Sequence, residues 1–386
     1  DSSELTYLLK NSFKQGSEWK RRCTVSVTIG TDTFTRICDL KIHGGISRGY
    51  HKKSFRLYFK DQSIFSDEIF KNFPNRHNLS NKFSELVLNA NCMDLSNIRN
   101  YLSMYISSRL GAVTPRIGFT RLVINGKYFG LYSVIERVNQ NMVKKLLKHS
   151  NFDLLKSCSH DGNLKTVNDF NNKRKHDPTK GFELKHGNWK LLKEFEFWLE
   201  SDKYSYEVLS SRLSRSALLG FNLGYFYCGV SDSYSKNYYI VFDKNENKIF
   251  LIHWDSDASF GREWDGKQFD ASNLICTPEH NGITKKIMEN QEWKSEMIEE
   301  FSEAFDSYLL EQNVLEKIDS LETLLRYETI SDFDVWIDHY KKNIKEKYWN
   351  FRLSDPEEIW RDELESIRNF VKRRREVIFD YLGSEK

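Results

Sequence analysis

"VSDSYSKNYYIVFDKNENKIFLIHWDSDASFG", residues 230–261, gathers Asp232, Asn237, Asp255 and Asp257 around one short ribbon. Apolar alternation over 238–242 and 248–254, about the polar turn 243–247, predicts a single β-hairpin. The stretch before it, "SALLGFNLGYFYCGV" (216–230), carries Asn222 and is shorter than the roughly 18–20 apolar residues of a membrane span. It reads as a buried helix that delivers the chain to Asp232. Carboxylate and amide oxygens crowded onto one hairpin are the donors that hard divalent cations prefer.

The rest of the chain sets the context. Its 386 residues are enough for one large domain or two modest ones. Aromatic residues are abundant (27 Phe, 19 Tyr, 9 Trp) and prolines number only 5, which favours a packed globular protein over disorder. A net charge of +3 gives no general nucleic-acid footprint, so no nucleic-acid partner is expected, and no membrane span is found. The first residue is Asp1 rather than Met, the mark of a segment removed upstream, by signal cleavage or by design. Six scattered cysteines form no zinc-type pair. Cys23 and Cys38 can face each other across adjacent strands, and free thiols are expected there rather than a disulfide.

The N-terminal part reads as β-rich. Residues 23–43 alternate about Gly30-Thr31-Asp32, 52–60 place Phe55, Leu57 and Phe59 on one face, and 83–90 form a further strand. Helical spacing covers 95–111, capped by Asp94 or Ser96 and closed by Gly111. Residues 118–138 form a hairpin about Asn125-Gly126, followed by a short helix at 139–149. Residues 159–188, with Lys173-Arg174-Lys175, read as a basic surface loop or insertion, the alternative being a lid over substrate. From 189 onward helices dominate, at 189–201, 206–214 and 215–230 and again through 283–386, with the basic run 372–375 on an exposed face or helix end. The outline is a β-rich N-terminal lobe (1–138) with one helix and a mainly helical C-terminal lobe (139–386) that carries the acidic hairpin.

Phosphoryl transfer from ATP needs a carboxylate at the acceptor hydroxyl and oxygen ligands for metal; protein kinases place an Asp and an Asn five apart in one loop, then a second Asp across a hairpin. Asp232 and Asn237 have that spacing, and Asp255 follows the hairpin. The plain structural alternative is that Asp255, Ser256 and Asp257 form an Asx turn or cap. A calcium loop starting at Asp255 fails, because its Gly and Glu positions hold Phe260 and Gly266.

Four segments, "GGISRGYHKKSFRLYF" (44–59), "LVLNANCMDLSNIRNYLS" (86–103), "YFGLYSVIERV" (128–138) and "NYYIVFDKNENKIFLIHWDSDASFG" (237–261), resemble in order the CotH kinase family of spore-coat-protein-H-like atypical protein kinases. The resemblance implies an α+β, atypical protein-kinase-like bilobed fold with a β-rich N-lobe and a helical C-lobe. It implies ATP and Mg²⁺ (or Mn²⁺) as cofactors, Ser/Thr of a protein substrate as acceptor, and a secreted or spore-associated setting. Carried onto this chain, Asp232 is the catalytic-loop carboxylate, Asn237 and Asp255 are metal ligands, and Asp257 is a metal or neighbouring group. The Ser47-Arg48 turn contacts phosphate, and Glu136 lies near the adenine. Strand alternation selects Lys53 as the phosphate lysine, since it shares a face with Phe55 while Lys52 points away. Three features depart from the family pattern. Helix 95–111 has no acidic partner for that lysine, leaving Asp94 or Glu85, with Arg99 placed to contact phosphate or Asp94; His51 replaces the usual Pro; and the Gly-rich turn reads Gly44-Gly45-Ile46-Ser47. Asp257, Glu263 and Asp265 at the cleft mouth suit a basic substrate. The competing readings are transfer of another group such as AMP on the same fold, and a pseudokinase or surface-binding module.

Overall fold

The alternating N-terminal segments close into one antiparallel sheet. The computed structural model describes residues 2–64, 67–74, 82–164, 179–200, 206–275, 277–343 and 355–383. A short helix α1 (Ser2–Lys10) precedes β1 (Arg21–Ile29), β2 (Asp32–His43), β3 (Ser54–Ile64) and β4 (Lys82–Asn89); α2 (Arg99–Arg109), β5 (Ile117–Ile124) and β6 (Lys127–Glu136) follow. The strand order is β1-β2-β3-β4-β6-β5. Asn125 and Gly126 turn β5 into β6 with φ of 51° and 78°, the left-handed pair that a two-residue hairpin turn requires. Phe55, Leu57 and Phe59 are all buried, as alternation requires. Cys23 lies opposite Cys38 with the sulfurs 3.5 Å apart, both as thiols; Cys276 falls outside the described residues.

Helix α2 starts four residues later than its spacing predicts. The Asp94 carboxylate accepts the amides of Ser96 (3.1 Å) and Arg99 (2.8 Å), and the Ser96 hydroxyl accepts that of Ile98 (3.3 Å). Residues 94–98 therefore form a capping turn rather than the helix itself.

After α3 (Gln140–Leu147) the chain lays down β7 (Phe152–Ser157) and β8 (Phe182–His186), then α4 (Lys190–Glu200), α5 (Tyr206–Arg212), α6 (Arg215–Cys228), β9 (Tyr238–Asp243) and β10 (Lys248–His253). The acidic hairpin is not isolated. It forms half of a sheet ordered β10-β9-β7-β8. The expected loop at 159–188 thus ends in a strand, while Lys173, Arg174 and Lys175 fall outside the described residues.

Helices α7 (Gly282–Glu289), α8 (Gln291–Phe305), α9 (Glu311–Asn343) and α10 (Pro356–Leu382) complete the chain. Helix α10 packs on α6, α8 and α9, so the C-terminus belongs to the helical lobe, whereas α9 also packs on β6 of the first sheet. The fold is α+β and bilobed. Among the described residues no helix is long and apolar enough to cross a membrane.

Two basic residues sit differently from their sequence reading. Arg374, in the run expected to be exposed, is buried and donates to the carbonyls of Phe226, Tyr227 (2.9 Å) and Ala271 (2.8 Å). It thereby neutralises the negative end of α6. Lys52, expected to point away, is fully buried. Its ammonium meets Asp332 of α9 at 2.7 Å, the Leu131 carbonyl at 2.7 Å and the Tyr340 hydroxyl at 2.9 Å. Asp332 accepts in addition the Leu131 amide (2.8 Å) and the Tyr340 hydroxyl (2.5 Å). Gly130, at φ 132°, permits this approach, since a Cβ there would lie 2.3 Å from Asp332 Oδ1.

Candidate active site

Helix α6 ends because Gly229 takes a left-handed conformation (φ 59°) that lets the amides of Gly229 and Val230 turn back onto the Phe226 and Tyr225 carbonyls. The chain then runs straight into Asp232. Tyr225, one turn before the helix end, fastens both ends of the β9–β10 ribbon. Its hydroxyl donates to the Asn237 carbonyl (2.7 Å) and accepts the Trp254 amide (3.3 Å). One side chain thus fixes the residue before β9 and the residue preceding Asp255. From the other side, Asn100 of α2 accepts the Ser256 amide (3.1 Å) and Arg99 donates to the Ser259 carbonyl (3.1 Å).

Between these fastenings the backbone is strained. Asn237 (φ 60°) and Asp255 (φ 59°) are left-handed, as are Tyr234 (φ 60°) and Phe260 (φ 47°). Asn and Asp tolerate this region, but an aromatic residue there costs on the order of 1–3 kcal/mol. Strain concentrated on either side of the acidic residues marks a geometry held for a purpose other than stability.

The Asn237 amide donates to the Asp232 carboxylate and carbonyl, both at 3.0 Å, and Lys236 pairs with that carboxylate at 2.9 Å. Asp255 is different. Among the described residues no hydrogen bond or contact ion pair engages its carboxylate. Burial pushes its pKa above the usual range and Asp232 adds to this, while Lys156, Lys236 and Arg137 oppose it from a distance. Asp257 is pushed further up, by burial first and then by Asp255, Asp94 and Asp232. Asp232, Asp255 and Asp257 thus lie within reach of one another's charge. His253, behind them, is buried, bonded to Ser256 and held neutral by desolvation.

The residues expected at phosphate lie on the turn between β2 and β3. Lys53 is buried, its ammonium on the Arg48 carbonyl at 2.6 Å. Arg48 spends its guanidinium on the carbonyls of Gly44 (2.6 Å), Ser12 (2.8 Å) and Lys14 (3.3 Å), which ties the N-terminal segment to this turn. Ser47 is half-buried between them. Burial first, with Cys92, Asp257 and Asp265 adding to it, pushes the Tyr50 hydroxyl up, so the end of this turn lies within reach of the Asp257 charge. Glu136 lies apart, its carboxylate held by Arg116 (2.9 Å) and Lys145 (3.4 Å) at the end of β6. Glu85 pairs with Arg56, and Asp94 with Arg99 (2.9 Å), so neither partners Lys53. Glu363, which sequence reasoning did not single out, also binds Arg99 (2.8 Å) and Arg262.

Among the described residues no three acidic, His or Cys side chains converge closely enough to cage a metal ion. The donor set nonetheless fits Mg²⁺ in kind. That ion takes one or two carboxylates and completes its shell with water and substrate phosphate, and Asp255 offers an uncommitted carboxylate beside Asp257 and Asn237.

The family model described as CotH kinase protein matches residues 40–378. The chain belongs to the CotH kinase family. A relative, inner spore coat protein H of Bacillus subtilis (strain 168), is 24% identical over 355 residues, covering 89% of this chain and 87% of that protein. The CotH kinase match spans both lobes, from the turn carrying Ser47 to α10. The family thus accounts for the helical C-terminus as well as the acidic hairpin.

Proposed function

We propose that this chain is an ATP- and divalent-metal-dependent protein kinase that phosphorylates Ser or Thr of a protein substrate. The observation that carries this reading is the Asp255 carboxylate, uncommitted among the described residues, within reach of the Asp232 charge at the fixed end of one ribbon. Asp232, oriented by Asn237 and Lys236, accepts the proton of the substrate hydroxyl. Asp255 and Asn237 hold the metal, with Asp257 beside them, and Lys53 with the Ser47-Arg48 turn closes over the phosphates. When bound, the metal supplies charge neutralisation at the transferred phosphoryl group. Glu136, at the end of β6, marks the adenine end of the site by position alone, since Arg116 and Lys145 hold its carboxylate. The acidic mouth formed by Asp257, Glu263 and Asp265 suits a basic substrate segment. By analogy with its spore-coat relative, the protein acts at the spore or outside the cell.

The test is intact-mass spectrometry after incubation with ATP and Mg²⁺ or Mn²⁺ and a mixture of Ser-rich proteins. Phosphoryl adducts should form with the natural chain and fall by roughly 10²–10⁴-fold in Asp232→Ala, the usual worth of a positioned acid–base group. Asp255→Ala should abolish them. Adenylyl adducts would keep the site and overturn the reaction. Absence of any adduct and of any ATP-dependent thermal shift would favour a binding module.

A further inference from the structure

The described residues include six buried arginines: Arg48, Arg99, Arg116, Arg137, Arg262 and Arg374. Buried charge is normally paired or fully hydrogen-bonded. Arg99, Arg116 and Arg262 meet carboxylates. Arg48 and Arg374 each donate to three main-chain carbonyls. Arg137 has neither. It is the first residue beyond β6 and only 5% exposed. Among the described residues its one hydrogen bond runs to the Tyr239 hydroxyl and its Nε has no partner, while its Cζ lies 5.1 Å from the centroid of the Trp254 ring. Tyr239 pairs in register with Lys156 of β7, which puts a second cation alongside. Lys156 also has no contact partner among the described residues; Glu183, opposite it on β8, is paired with Lys185.

Both cations sit beside the ribbon that leads to the acidic residues: Arg137 lies over the ring of Trp254, the neighbour of Asp255, and Lys156 stands opposite Tyr239 of β9. A buried, aromatic-stacked guanidinium with an unused donor is preorganised for an oxyanion, because its planar fork matches phosphate oxygens and its rotamer is already fixed.

We propose that Arg137 and Lys156 form the polyphosphate grip of this cleft, binding the phosphate oxygens that face away from Asp255. This assignment rests on the reading of the cleft as a nucleotide site. It gives the main electrostatic contact to two residues outside the turn that carries Lys53, whose ammonium is already bonded to a carbonyl.

The experiment measures binding of inorganic tripolyphosphate, ATP and adenosine, each with Mg²⁺, to the full chain by calorimetry. The variants are Lys156→Gln and Arg137→Lys. Each should weaken tripolyphosphate and ATP at least tenfold and leave adenosine unchanged, with the ligand-free melting temperature of Lys156→Gln close to that of the natural chain. If Arg137→Lys fails to fold, Lys156→Gln decides alone. Undiminished ATP binding in Lys156→Gln would overturn the grip and leave the kinase reading standing. Tripolyphosphate binding that the variants lose, without any ATP binding by the natural chain, would keep the grip and overturn the kinase reading. A natural chain that binds neither would overturn both.

Discussion

The charge clusters of this molecule follow two opposite plans. Around Lys52 and Asp332, and again around Arg99, Asp94, Glu363 and Arg262, cations meet carboxylates at contact distance across elements far apart in sequence. Around Asp255, among the described residues, its carboxylate, the Lys156 ammonium and the Arg137 Nε are left uncommitted. The first plan holds the lobes together. The second leaves donors and acceptors that a ligand can complete where the protein does not.

The largest expected effect lies in the closed clusters. Asp332→Asn should cost about 3–5 kcal/mol, since it strands a buried ammonium; urea unfolding measures it. A loss below about 1 kcal/mol would mean that the pair is solvated in solution and the contrast is weaker than drawn. Glu363→Gln should cost somewhat less, about 3 kcal/mol at neutral pH, because two arginines lose one charge. Burial alone would raise the Glu363 pKa, but Arg99 and Arg262 hold it below the ordinary 4.5. Its contribution is therefore complete above the unfolded pKa and lost as pH falls through the lower folded value. The gap in stability between the natural chain and Glu363→Gln should narrow in acid, and a gap that widened there would reverse the assignment. Asp257→Asn should act in the other direction. Removing one of several like charges should raise stability by about 1 kcal/mol while impairing phosphorylation, the trade expected of a functional site. If it destabilises as Asp332→Asn does, the cluster is structural. Smallest is Arg121→Ala. Its exposed pair with Glu328 joins β5 to the same helix as Lys52 and should be worth about 0–1 kcal/mol by the same unfolding assay.

Much of this was readable before the structure, and the reason is local. The hairpins about Gly30 and Asn125-Gly126 carry their turn chemistry within a few residues, and the helix ahead of Asp232 is largely apolar. The Asp232–Asn237 contact is likewise a five-residue affair. What escaped is non-local. Strand β7 (Phe-Asp-Leu-Leu-Lys-Ser) lacks a clear apolar alternation, and its role appears only when β9 pairs with it from across three helices. Lys52 and Lys53 differ by one step along a strand, so alternation alone assigned one inward and one outward. Asp332, supplied by α9, buries the lysine that should have been exposed. Arg374 hides in a run of basic residues, and nothing in that run distinguishes it until the end of α6 arrives beside it. Arg137 had no signal at all, since its meaning lies in a missing partner.

The Lys52 cluster also bears on the order in which the protein can be completed. Tyr340, one of the groups that receive the Lys52 ammonium, lies 288 residues further along the chain. At roughly 5–20 residues per second, ribosomal synthesis leaves that lysine without its partner for about fifteen seconds to a minute. The first sheet therefore emerges as a surface that stays unfinished until α9 has been made. A nascent chain stopped before α9 should be readily captured by chaperones and cut by proteases, and protection should arrive late, when Asp332 and Tyr340 dock.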